Sequence, residues 1–367
     1  MRTTFRTITA IGIAAGVALG LAPSASAHGK HRPPAPVTVV ASGLAGPYQV
    51  SSSGRDLIVT EADAGRVVAI NRHRRGSVRT LVSGLGEGAA AGAVRIGNKV
   101  LIATAEAGGP PDAPPRPPSP YPGSSVLVAS KGRVSQFADL LAYELRNNPD
   151  GQTQFGPDGA PLDALSNPFS LLAARGGGVL VADGGANVVL RVSASGRVST
   201  FFVPPVVTTG ACAGRPNNDA ASTGCDPVPT GLAYGPRNTL YVSTLSGEAP
   251  GQGRVYVLDA RRGTVKRVIS GFTSPTGVAV APDGTVYVTE ALEGQPTSEP
   301  GPDFDPSTVG QVVKVSPRGQ RTYAQITTPT GIVWTGGRLY STAWSLGSFF
   351  GQFGTGQIVA LSPRAFR

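Results

Sequence analysis

The chain has 367 residues, among them 50 Gly and 33 Pro, with 40% hydrophobic and 15% charged residues. That supplies enough apolar side chain for a packed core and excludes wholesale disorder, while long amphipathic helices and coiled coils are excluded by the scarcity of charged residues. The net charge of +10 raises nucleic acid as a partner, but the basic clusters are short: Arg72, His73, Arg74 and Arg75, then Arg261 and Arg262. They lie beside Gly turns without the interleaved aromatic residues of a stacking platform, so no nucleic-acid partner is expected.

In chain order, Arg2 and Arg6 precede an apolar run over residues 8–21, followed by Pro23 and Ala25-Ser26-Ala27. This is the pattern of a signal peptide, 1–27, cleaved after Ala27. The run is too short to span a membrane, and no later stretch approaches the roughly 18 apolar residues that a span needs. The expectation is a secreted, extracellular protein with a flexible lead over 28–36 and a single domain over 37–367.

That domain is built on a repeat. Pro-Thr-Gly followed by an apolar residue begins at Pro229, Pro275 and Pro329, with looser copies at Pro47 and Pro168 and a degenerate one over 90–94. After each copy come a Gly-containing turn and a short apolar strand, at 57–60, 100–103, 179–182, 240–243, 286–289 and 339–342. Third strands follow at 67–70, 126–128, 188–192, 255–258, 312–315 and 358–361, then a more polar fourth such as 78–82 or 265–269. Six copies of a four-stranded unit predict an all-β, six-bladed β-propeller. A parallel β-helix would need much shorter repeats. The sixth copy has no room for a fourth strand before the chain stops, and 37–44 matches the fourth-strand phrase, so an N-terminal strand is expected to complete the last blade.

Long segments between strands fall on one face of such a ring: 106–124, 140–167, 203–228, 246–253, 292–310 and 345–356. Turns on the opposite face are tight. Elaborated loops on a rigid scaffold usually carry function, so the long-loop face is the expected binding face. Cys212 and Cys225 lie in one of these segments, in a polar run rich in Gly, Asn and Pro. An even count in an exported chain suggests a disulfide, since a zinc site normally needs four ligands.

Two columns of residues are candidates for the site. The residue after the repeat's Pro is Tyr48, Phe169, Thr230, Thr276 or Thr330, with a small Ala or Gly in blade two. A neutral ring of hydroxyls and aromatics suits a sugar, an amide or a planar organic ligand, although these Thr would equally satisfy nearby backbone groups. The second column closes the second strands: Glu61, Thr104, Asp183, Thr244, Glu290 and Ala343. Its three acids are read as surface carboxylates paired with Arg, or else as groups that bind a cation or act in acid–base chemistry. Asp183, with Gly184, Gly185 and Asn187 around it, is the favoured candidate. Histidine occurs only at 28, 31 and 73, which argues against a Ser-His-Asp triad.

Ser166-Asn167-Pro168-Phe169-Ser170-Leu171, Asp183-Gly184-Gly185-Ala186-Asn187, Arg191-Val192, Pro229-Thr230-Gly231 and Asn147-Asn148-Pro149-Asp150-Gly151 together resemble the ScyD/ScyE family. The resemblance covers nearly all of the chain after the signal peptide and implies an exported six-bladed propeller related to NHL repeats, named from cyanobacterial clusters for the pigment scytonemin. It implies no reaction. Among other six-bladed propellers, gluconolactonase-like enzymes hold a divalent metal with acidic and Asn ligands at the start of the innermost strands. No carboxylate or Asn occupies that column here, so no metal and no cofactor is expected. The reading is a monomeric binding or scaffolding propeller that takes a small-molecule, glycan or protein ligand on its long-loop face. The alternative is an extracellular hydrolase or lyase acting at the channel mouth of the same face through Glu61, Asp183 or Glu290.

Overall fold

Val, Ile, Leu and Tyr dominate short segments closed by Gly, Asn and Asp, a composition that fits a pleated, half-buried surface better than a helix. The computed structural model describes residues 35–106, 119–296 and 304–367, and the expected signal peptide and residues 28–34 of the lead lie outside them. The chain enters through β1 (Val37–Leu44) and then lays down blade one as β2 (Pro47–Ser53), β3 (Asp56–Glu61), β4 (Arg66–Asn71) and β5 (Val78–Val82). Blade two is β6 (Ala90–Ile96), β7 (Lys99–Thr104), β8 (Ser125–Ser130) and β9 (Arg133–Asp139), followed by the helix α1 (Leu140–Asn147). Blade three is β10 (Pro168–Ala173), β11 (Val179–Asp183), β12 (Val188–Val192) and β13 (Val198–Phe202). Blade four is β14 (Pro229–Gly235), β15 (Thr239–Thr244), β16 (Gly253–Asp259) and β17 (Val265–Phe272). Blade five is β18 (Pro275–Val280), β19 (Val286–Glu290), β20 (Gln311–Val315) and β21 (Arg321–Gln325). Blade six takes β22 (Ile332–Thr335), β23 (Arg338–Ala343) and β24 (Gly356–Leu361).

The fourth strand of blade six is β1, antiparallel to β24 from Val37 opposite Leu361 to Leu44 opposite Gly356. The six-bladed propeller and its N-terminal closure are therefore as the repeat predicts. The core lies between blades. One apolar cluster joins Val94, Leu101 and Val126 of blade two to Leu171, Val181 and Leu190 of blade three. Another joins Val40 and Leu44 of β1 to Leu57, Val59 and Val68 of blade one. Each sheet thus buries its faces against its neighbours and cannot do so alone. The C-terminus adds a second clasp, because Arg367 and Tyr323 of β21 exchange backbone hydrogen bonds of 3.0 and 2.9 Å.

Two elements depart from the sequence reading. The segment after β9 was expected to be a loop but opens with α1, because Asp139 caps it by accepting from the Ala142 amide at 2.8 Å and good helix formers follow. Asn148 ends it in the left-handed region, φ 41°. The inner strand of blade six starts only at Ile332, leaving Pro329-Thr330-Gly331 as an extended lead into it.

Candidate functional site

The Pro-Thr-Gly phrase is a joint between blades. Thr230 Oγ1 donates to the Pro275 carbonyl at 2.8 Å, Thr276 Oγ1 to Pro329 O at 2.8 Å, and Thr330 Oγ1 to Tyr48 O at 2.6 Å. Each hydroxyl reaches the first or second residue of the next copy of the phrase. The Gly that follows is demanded by proximity: a Cβ on Gly231 would lie 2.7 Å from the Gly277 Cα, and one on Gly331 2.8 Å from Tyr48 O. These three Thr are buried, and their hydroxyl protons serve neighbouring backbone.

Blades one to three replace this joint. Thr60 Oγ1 donates to Ala91 O at 3.0 Å and Ser170 Oγ to Thr230 O at 2.5 Å. Gln49 spans three blades: its Nε2 donates to Leu171 O at 2.8 Å, and its Oε1 accepts from the Ala93 amide at 2.8 Å. A Cβ on Gly92 would sit 2.4 Å from that Oε1, so the small residues of β6 make room for the bridge. Nothing in the sequence pattern had marked Gln49.

Tyr48 and Phe169 are thereby left at the long-loop end of the channel, with ring centroids 4.8 Å apart and planes inclined at 43°. Both rings are half-buried. Burial, and secondarily the charge of Glu248, push the Tyr48 hydroxyl pKa upward. Glu248 is exposed, on a loop that passes through left-handed φ at Ser246 (54°), Gly247 (60°) and Glu248 (56°). That loop rests on the disulfide between Cys212 and Cys225, since a Gly247 Cβ would be 3.0 Å from the Cys225 Cβ.

The second-column acids are not on the surface, which corrects the expectation drawn from their place at strand ends. Glu61, Asp183 and Glu290 are 0%, 0% and 3% exposed. Each receives the backbone amide that leads into its own blade's inner strand: Ala45 N to Glu61 at 2.8 Å, Asn167 N to Asp183 at 2.7 Å, and Thr273 N to Glu290 at 2.6 Å. A strand-end carboxylate is the group that can hold a crossing chain there. Among the described residues Arg pairs with Glu61 alone of the three, through Arg66 at 2.6 and 2.8 Å. Gln311 donates to Glu290 at 2.6 Å.

Around Asp183 the two runs of the family resemblance interlock. Ser166 donates its hydroxyl to Asp183 Oδ2 at 2.6 Å, and a Gly185 Cβ would lie 2.7 Å from Ala164 O. Asn187, at φ 49°, donates to Asp150 at 3.2 Å and accepts the Val228 amide at 3.1 Å. Gln152 donates to Asp226 at 2.7 Å. Burial raises the Asp183 pKa to about 6 against its hydrogen bonds. On α1, Glu144 is raised to about 7, chiefly by burial, with the charges of Asp150 and Asp183 adding. Glu144 Oε2 and Asn148 Oδ1, one helical turn apart, are buried without hydrogen-bond partners among the described residues. Glu144 was missed because it stands in a segment read as loop. Among the described residues no three His, Cys, Asp or Glu side chains are grouped as a metal site, and no helix is long and apolar enough to cross a membrane.

No protein-family model and no curated protein matches the chain. Solved structures do. A luciferin-regenerating enzyme is 10% identical with a TM-score of 0.54, the match covering 90% of this chain and 96% of that one. The gluconolactonase XC5397 of Xanthomonas campestris is 13% identical with a TM-score of 0.51, covering 89% of each. A streptogramin B lyase is 11% identical, TM-score 0.49, over 90% of this chain and 97% of the other. At such identities the likeness shows the fold alone.

Proposed function

We propose that the chain is a secreted binding propeller of the ScyD/ScyE type whose long-loop face takes a glycan or a planar organic molecule. The half-buried Tyr48–Phe169 pair, 4.8 Å apart at the centre of that face, carries the reading. Two aromatic rings beside exposed polar loops give a ligand one apolar face to stack on and hydrogen-bonding groups at its rim. The Cys212–Cys225 disulfide fits an oxidising compartment. Hydrolysis or elimination through Glu61, Asp183 or Glu290 is disfavoured, because their carboxylates are sealed from solvent and occupied by backbone amides and polar side chains.

A thermal-shift screen of small glycans and planar compounds against the purified chain tests the reading. A ligand is expected to raise the melting temperature, and Tyr48→Ala together with Phe169→Ala to weaken its binding by at least about tenfold, from the loss of stacking area. A ligand held equally well by the double variant would place binding elsewhere.

A further inference from the structure

The inner strands carry a second ring of side chains at the opposite end of the channel. Counting the strand-opening Pro, or Ala90 in blade two, as first, the sixth residues are Ser52, Arg95, Ala173, Tyr234, Val280 and Trp334. All six line the central cavity of about 250 Å³, whereas the ring of second residues contributes only Phe169, Thr276 and Thr330. The cavity thus belongs more to the tight-turn end than to the long-loop end. In a ring of six, blade two faces blade five. Arg95 therefore stands across the channel from Val280, which is flanked by Tyr234 of blade four and Trp334 of blade six. Small residues, Ser52 and Ala173, flank Arg95. Tyr234 and Trp334 are partly buried, packing against the apolar clusters between blades three and four and between blades five and six, and they edge the side of the cavity that faces Arg95.

We propose that the tight-turn mouth of this cavity binds a small aromatic carboxylate. The Arg95 side chain makes one hydrogen bond among the described residues, from Nε to Gly97 O at 3.2 Å, and pairs with no acid there. The terminal nitrogens of its planar fork are left to take a carboxylate in a bidentate contact. The aromatic wall is fixed from behind. The Arg175 guanidinium lies 4.1 Å from the Tyr234 ring centre, and the Arg175 amide donates to the Tyr234 hydroxyl at 3.1 Å. Tyr287 stacks on Trp334 at 5.7 Å with planes 10° apart. Rings held in place before a ligand arrives lose little freedom on binding it. The volume sits just below the drug-sized range of roughly 300–1,000 Å³, which limits the ligand to one ring or two fused rings. A solvated surface arginine would share the bond to Gly97 but not the place on the cavity wall. The site lies at the other end of the channel from the Tyr48–Phe169 platform, with which it shares Phe169 on the cavity wall, and neither reading depends on the other.

The chain has two tryptophans, Trp334 and Trp344. Trp344→Phe leaves Trp334 as the single fluorescent reporter inside the proposed site. Benzoate is expected to change its emission saturably, with one equivalent bound by calorimetry, and the uncharged benzamide to bind at least about tenfold more weakly for lack of the charge-assisted contact. Arg95→Gln is expected to lose about the same factor, and Arg95→Lys to keep part of it. Absence of saturable benzoate binding, equal binding of benzamide, or benzoate binding unchanged in a folded Arg95→Gln variant would each overturn the proposal. The benzoate–benzamide comparison decides the matter even if the Arg95 variants do not fold.

Discussion

Glu144 and Asp183 hold their carboxyls in a part of a basic chain where the neighbouring charges are other carboxylates. With pKa values raised to about 7 and about 6, both fit the folded state better as neutral acids. For a carboxyl raised on folding, the stabilising contribution is complete below its ordinary pKa near 4 and is lost as pH climbs through the folded value. The melting temperature should therefore fall between about pH 4 and about pH 7, and Glu144→Gln should flatten the slope and melt higher than the parent at the upper end. A parallel pair of curves would mean that Glu144 titrates normally. Glu144 Oε2, buried without a partner, gains a proton to donate when the group is neutral. The same scale shows what the sequence made legible. Pro-Thr-Gly was visible as a repeated phrase because blades four to six use the same joint. Whether its hydroxyl faced a ligand or a carbonyl depended on how near the next strand came, a distance that no single strand encodes.

Among the elements, the strands were readable to within about three residues, since short apolar runs and turn chemistry repeat six times. The helix α1 occurs once and hides inside a long loop, so repetition gave no help. The burial of Glu61, Asp183 and Glu290 was misread because a strand end looks exposed in isolation, and only the chain crossing from the preceding blade covers it. That crossing over blade four is buttressed by the disulfide. Cys212 Sγ lies 3.8 Å from Ser246 O, and Val207 pairs with Cys225 through two backbone bonds of 2.9 Å. Reduction should loosen residues 207–225 and 246–253, at a cost of roughly 3 kcal/mol at most for so short a closed loop. A glutamate-specific protease is expected to cut after the exposed Glu248 much faster in the reduced chain, while amide exchange in β15 and β16 stays slow. Fast exchange in those strands would show that the crosslink supports the blade itself.

For the whole molecule, the decisive contact joins the two ends of the described chain. Val40, Ala41 and Leu44 of β1 are 6%, 2% and 2% exposed, and they cover apolar surface between blades six and one. A chain starting at Ala45 loses that cover and bares the β24 edge. At roughly 1.5–3 kcal/mol per buried Val or Leu side chain, such a truncation should cost several kcal/mol and promote association through the open edge. Calorimetry and light scattering would read both effects, and a truncated chain that melts and sediments like the parent would show that β1 is dispensable. The same pairing governs the order of assembly. β24 follows every other described strand, so β1 must wait, unpaired, while the strands of all six blades are made. Contacts of such long sequence separation form slowly. A ring that cannot lock until β24 arrives keeps its closing edge open through that interval, and the polypeptide stays threadable until its sixth blade is made.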